Sequence, residues 1–395
     1  MSWKKILIIF LIWRLLDFLI IYFSPKIIPY LGFFPYKEVL DNFNLPSWIT
    51  SLANFDGLHY ILIAKQGYSQ YEQAFFPLYP LLIKFIIPLF FNNQLLAGLM
   101  ISNISFLFGL FFLTKITGGE KKGIPTLFFI LIFPTSFFFG AVYTEGLFFL
   151  IVVSTLYFLK KNNYLLVIIL SFLASLTRLV GIFLIIPIIF HWFSVSFRAK
   201  SRNLMTGAII SPIIGLGIYC FYLFKTTGDP LFFLTSQPVF GANRSSHLIF
   251  LPQVYWRYLK IFITAALDSR YFVSVIELLI FNLVFFVLIL DLIRLLLSFR
   301  AKSRNLIKRS LHSFHSVGMT TWEKFGLNIF SFSNLILPTL TGTFSSIPRY
   351  SLLSISFFIY LSQIKNNLIK MFILIVFFIL HIVLLGLFRQ GYFIS

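Results

Sequence analysis

Between residues 54 and 80 the sequence reads NFDGLHYILIAKQGYSQYEQAFFPLYP, which gathers side chains able to move protons and hold polar ligands: Asp56, His59, Tyr60 and Glu72. The whole chain has only 12 acidic residues, so two acids flanked by a histidine and a tyrosine mark a candidate active-site loop. Asp56, beside the flexible Gly57, can accept a proton from a hydroxyl nucleophile. An aspartate there can equally cap a helix starting at Gly57. His59 suits a hydrogen bond or a phosphate contact or, with Asp56 at i and i+3, a metal. Two ligands specify no metal, so no metal site is assigned and a divalent ion stays open as a cofactor. Glu72 is either a ligand contact or a solvated loop charge. Further on, Glu145 opens an apolar run, where helix N-terminal placement alone stabilises an acid. Arg178 and Arg349, the latter in a PRY step with Tyr350, are cations suited to a negatively charged head group, because a guanidinium binds phosphate bidentately. The alternative for each arginine is a side chain snorkelling from a span end.

The elements that must position these residues are membrane spans. Of 395 residues, 59% are hydrophobic and 11% charged, against about a quarter charged in a soluble domain. This composition predicts a single all-α polytopic membrane domain over residues 1–395. The net charge of +20 sits in short connections rather than on one face, so the positive-inside rule explains it better than nucleic-acid binding. The lone Cys220 excludes a disulfide framework. The first apolar run lacks a small-residue cleavage site and carries Arg14 and Asp17, one turn apart, which reads as a retained span with a paired charge.

Charge bias makes the N-terminus cytoplasmic and residues 24–75 a first external loop containing helices that lie on the membrane surface. The Pro-rich stretch from 75 to 91 reads as a surface or re-entrant piece rather than a full crossing. Crossing parity then sets Glu145 on the external side. The stretch from 164 to 195 is interrupted by SLTRLVG, so two helices are expected to meet near Arg178 on that same side. A second external loop is expected at 225–260, a span at 272–297 and a basic cytoplasmic loop at 299–324. Three last spans follow at 325–341, 350–363 and 368–388, for about ten to twelve crossings in all. Glu277, Asp291 and Arg294 read as structural charges. The nonapeptide SFRAKSRNL occurs at 196–204 and again at 298–306. Without similar flanks it reads as an inserted element in two tolerant cytoplasmic loops rather than a structural repeat.

The blocks FDGLHYILIAKQGY with AFFPLYPLL, FPTSFFFGAVYTEGLFFL, SLTRLVGIFLIIP and LPTLTGTFSSIPRY closely resemble, in order, the motifs of the GPI mannosyltransferase 2 (PIG-V) family and its prokaryotic relatives. The resemblance implies a GT-C fold with an active site on the external or lumenal side and a polyprenyl-phosphate sugar as donor. It assigns the acid that acts on the acceptor hydroxyl to Asp56. Many GT-C enzymes carry two adjacent acids in this loop, whereas Gly57 follows Asp56 here. The Lys-, Ile- and Phe-rich composition points to a bacterial plasma membrane, where GPI anchors are not made. The expected function is therefore transfer of a sugar, mannose by the resemblance, to an acceptor glycan, lipid or protein at the external face, with inversion. Arg178 and Arg349 are expected to stabilise the departing phosphate. The alternative is a lipid or solute transporter or flippase, which should show inverted halves with ionisable groups near the midplane.

Overall fold

A backbone deprived of water must satisfy its own hydrogen bonds, and the chain does so with helices: no strand occurs among the described residues. The computed structural model describes residues 2–31, 37–195, 199–241, 244–305 and 319–394. Five helical segments are long and apolar enough to cross a membrane: Trp3–Lys26, Gln94–Ile116, Arg202–Thr227, Ser269–Phe299 and Asn367–Arg389. An all-α, multi-pass membrane protein accounts for them.

The expected ten to twelve crossings are not ten to twelve continuous helices. Helix Leu78–Ile86 has 9 residues, roughly 14 Å at 1.5 Å per residue, against a hydrocarbon core of about 30 Å. The stretch from 164 to 195 breaks into Tyr164–Thr177, the 3-10 turn Leu179–Leu184 and Ile185–Trp192, with Arg178 at the junction. Gly181 permits the break, since a Cβ there would fall onto the Ala174 carbonyl. The segment expected as a span at 350–363 is likewise divided, into Ile347–Tyr350, Ser351–Leu353 and Ile355–Ser362. It lies next to the helix Thr321–Thr339, whose start is fixed by a capping box between Thr320 and Glu323.

Hydrogen bonds show which connections share an end of the bundle. The Asn54 Nδ2 donates to the Phe388 carbonyl (2.9 Å), Arg389 to the Ser47 hydroxyl (2.8 Å) and Gln390 to the Ile28 carbonyl (2.7 Å). The 225–260 stretch joins this end, because Ser245 N–H donates to the Thr341 carbonyl (2.8 Å) and Phe240 meets Phe75 with ring centroids 5.2 Å apart. At the opposite end Lys5 pairs with Glu120 (3.2 Å) and His191 with Glu323 (2.8 Å). The basic regions differ from expectation: helix Ser269–Asn305 runs on through most of the second SFRAKSRNL copy, and helix Ala199–Thr227 begins inside the first. Residues 196–198 and 306–318, which carry the rest of the inserted-element reading, lie outside the described residues.

Two charge clusters lock helices together away from the 24–75 loop. Arg14 donates to Asp17 (3.0 Å) as its spacing suggested, and Asp17 also accepts from His381 of the last helix (2.9 Å). Asp291 pairs with Arg294 (2.5 Å) and accepts from Asn328 (3.0 Å). In the same later span Glu277 accepts from the Tyr258 hydroxyl (2.5 Å).

Candidate functional site

The site is set by three irregular turns. Helix Asp56–Gln66 begins immediately after Phe55, whose backbone is at φ 57° and ψ −118°, a region that a bulky residue enters only against strain. Asp56 is thus the first residue of the helix rather than its cap, and its side chain turns away from the helix end to another partner. The helix is not a surface helix as expected. Leu58 and Ile61 are fully buried, and Gly57 approaches the Val142 carbonyl so closely that an added Cβ would lie 3.1 Å from it. The Leu52 carbonyl accepts from Val142 N–H (2.9 Å) and the Asn54 carbonyl from the Tyr143 hydroxyl (2.8 Å). These bonds dock the start of the loop onto the turn that precedes Glu145.

Glu145 is the first residue of helix Glu145–Lys160 and is 1% exposed. The third turn is SSIPRY, in which Ser346 takes a left-handed backbone (φ 70°) and Arg349 follows within helix Ile347–Tyr350. Thr135 donates to the Pro348 carbonyl (2.7 Å) and Asn334 to the Tyr350 carbonyl (2.7 Å), which fixes this turn between two helices.

Together these turns bring Asp56, Glu145, Arg178, Arg349 and Tyr350 into one charged cluster. Arg349 Nη1 donates to Asp56 Oδ2 (2.6 Å) and its Nε lies 3.5 Å from Glu145 Oε1. Arg178 Nη1 donates to the same Glu145 oxygen (2.6 Å), and its guanidinium lies over the Tyr350 ring at 4.7 Å. The second Glu145 oxygen, Oε2, is buried without a hydrogen-bond partner among the described residues. Burial drives the Asp56 carboxyl up, but the ion pair and hydrogen bond from Arg349 outweigh it and hold the pKa below the ordinary carboxylate value of 3.8. Burial, followed by the Asp56 and Glu145 charges, pushes the Tyr60 phenol up, so it stays protonated.

All five residues and Tyr60 line one cavity of about 210 Å³. One wall is apolar, with Phe75, Phe76, Phe233, Leu234, Leu337 and Pro338. The AFFPLYP segment is therefore a wall of the cavity, held there by the Tyr219 hydroxyl donating to the Gln73 carbonyl (2.6 Å) and by Tyr79 donating to the Gly98 carbonyl (2.9 Å).

His59 and Glu72 are brought together with each other and are not among the residues that line the cavity. His59 Nδ1 lies 3.1 Å from Glu72 Oε1, and the imidazole stacks on Phe75 at 5.0 Å. Glu72 also accepts from Ser69 N–H (2.9 Å). The pair supports the wall from behind. No cluster of three metal-ligating side chains occurs among the described residues.

Sequence reasoning missed Arg244. It sits in GANRSSH, where Gly, Asn and Ser around one arginine read as a solvated loop, yet it lines the cavity and donates to the Ser346 hydroxyl (3.0 Å). Its signal lay only in that loop's being external, on the side expected for the other site residues. No known protein family, curated protein or solved structure matches the chain.

Proposed function

We propose that the chain is an integral-membrane glycosyltransferase that moves a sugar, mannose by the motif resemblance, from a polyprenyl phosphate to an acceptor hydroxyl at the external face of the membrane. The observation that carries this reading is Asp56, paired with Arg349, in the lining of a cavity that combines charged and apolar side chains. A lipid-linked phosphosugar has the same two-part character. In the proposed step the acceptor oxygen attacks the anomeric carbon, the bond from that carbon to the phosphate oxygen breaks, and the hydroxyl proton passes to Asp56. The new glycosidic bond has inverted configuration and the leaving group is the polyprenyl phosphate. As Asp56 becomes neutral its pairing with Arg349 weakens while negative charge grows on the phosphate. The arginine's field is thereby transferred from base to leaving group with the cavity's net charge unchanged. Glu145 Oε2, unpartnered and buried, is an acceptor for a hydroxyl of the bound sugar.

Reconstitution with radiolabelled polyprenyl-phosphate sugars tests the reading. Asp56→Asn is expected to lower turnover by about 100-fold or more with the fold intact. Transfer undiminished by this substitution would sink the assignment. Label carried across the bilayer without transfer would identify a transporter or flippase instead.

A further inference from the structure

Five charged side chains face the cavity, and their pairing is uneven. Glu145 and Asp56 neutralise Arg178 and Arg349 at 2.6 Å each. Arg244, in contrast, makes no ion pair with a carboxylate among the described residues, and its two hydrogen bonds go to neutral oxygens, the Ser346 hydroxyl (3.0 Å) and the Gln237 amide (3.4 Å). The nearby acid Glu277 accepts from the Tyr258 hydroxyl (2.5 Å) and acts on Arg244 only from beyond ion-pair distance. Of the three guanidiniums that line the cavity, Arg244 is therefore the one with no carboxylate at ion-pair distance among the described residues, in a half-buried setting.

The same arginine stands where the cavity changes character. Phe233, Leu234 and Phe240 precede it on the chain and Leu248 follows, and all four line the cavity with it. Leu234 and Leu248 are 40% and 74% exposed, so the apolar wall continues from the buried charges to the outer surface of the molecule. A ligand that satisfies both features carries one negative charge next to a long apolar tail.

We propose that Arg244 is the residue that anchors the anionic group of an amphiphilic phosphate ester in this cavity, with the tail running along Phe233 and Leu234 towards Leu248. Identifying that ester as the sugar donor rests on the transferase reading; the anion site itself does not. The division of labour is specific. A phosphodiester bears one negative charge, which supplies before reaction the ion-pair partner that Arg244 lacks among the described residues. The second charge that appears on the phosphate when its bond to sugar breaks coincides with the release of Arg349 from Asp56. Arg244 thus acts in binding and Arg349 in turnover, rather than Arg178 and Arg349 sharing the phosphate as the sequence alone suggested.

The test uses the full chain in nanodiscs, with the singly charged phosphodiester dodecyl methyl phosphate (hereafter dodecyl phosphate) as the anionic probe and dodecanol as its neutral partner. Arg244→Gln is expected to weaken dodecyl phosphate binding about tenfold, the loss of one charge-assisted hydrogen bond. Arg244→Lys should recover part of that loss, and dodecanol binding should be unchanged in both variants, which also reports an intact fold. In the transfer assay Arg244→Gln should raise KM for the lipid donor with kcat nearly constant. Dodecyl phosphate affinity that is unchanged in Arg244→Gln but lost in Arg178→Gln would overturn the inference. Arg244-dependent phosphate binding without any glycosyl transfer would retain the anion site and remove the transferase reading. Transfer with Arg244-independent phosphate affinity would do the reverse.

Discussion

An aspartate asked to take a proton is, in this cavity, held as an anion by its neighbour. Arg349 opposes the effect of burial on Asp56, so the carboxyl ionises below its ordinary value of 3.8 and contributes stability that is fully present above the unfolded value and lost as pH falls through the folded one. An activity that needs ionised Asp56 should therefore show no acid limb from this group at neutral or mildly acidic pH. Arg349→Gln removes the opposing charge and leaves burial to act alone. The acid limb of the pH–rate profile is expected to move upward and kcat to fall; a limb that stays put would show that Arg349 does not set the protonation of Asp56. At this scale much was legible from residue type, since Asp56, Tyr60, Glu145, Arg178, Arg349 and Tyr350 all reach the cavity. Their pairing was not, because Arg349 and Asp56 lie 293 positions apart and no spacing rule connects them. His59 and Glu72 fell outside the lining for a local reason: they satisfy one another across the short turn between helix and wall.

The elements owe their shape to where apolar sequence is interrupted. The break at SLTRLVG was readable because a charge and a glycine interrupt an otherwise apolar stretch, and the structure bends there with Gly181 against the Ala174 carbonyl. Gly181→Ala is expected to force these backbones apart at a cost of about 1–3 kcal/mol and to displace Arg178 from Glu145. Thermal unfolding in detergent and the transfer rate should fall together; a variant as stable and active as the parent would refute the packing argument. Helix Asp56–Gln66 was misjudged as a surface element. It carries Leu58, Tyr60, Ile61, Ile63 and Ala64 buried around its circumference, while Asp56 turns to Arg349 and His59 to Glu72, so protein rather than a membrane surface surrounds most of it. Ser346 gives a second test of element geometry. Ser346→Gly relieves the left-handed backbone but removes the hydroxyl that holds Arg244. Fold stability should be kept while donor KM rises, and an unchanged KM would separate Arg244 from its support.

Across the whole molecule, the connections divide between two ends, with the cavity at the one that carries residues 24–54 and 225–260. Composition made the membrane class plain, and charge bias proposed which end faces outward. The number of spans was harder to read, because a Pro- or Gly-interrupted apolar run looks the same whether it crosses or turns back. The single cysteine, Cys220, makes orientation testable. In a Cys220→Ser background, a membrane-impermeant maleimide should label Ser246→Cys in intact cells and Lys4→Cys only after permeabilisation. The opposite pattern would invert the proposed topology.

The buried contact between Asp17 and His381 spans 364 positions of chain, and that separation has a meaning for biosynthesis. The first helix emerges from the ribosome carrying Arg14 and Asp17 long before the helix with His381 is made. Until then the carboxylate has only its neighbour one turn away, and an incompletely paired charge in a membrane favours an unsettled position. The helix that carries His381 thus completes the first, and the contact that joins them forms only after both have been made. His381→Leu is expected to cost about 3 kcal/mol of stability and, in the cell, to leave chains whose first helix remains open to proteolysis.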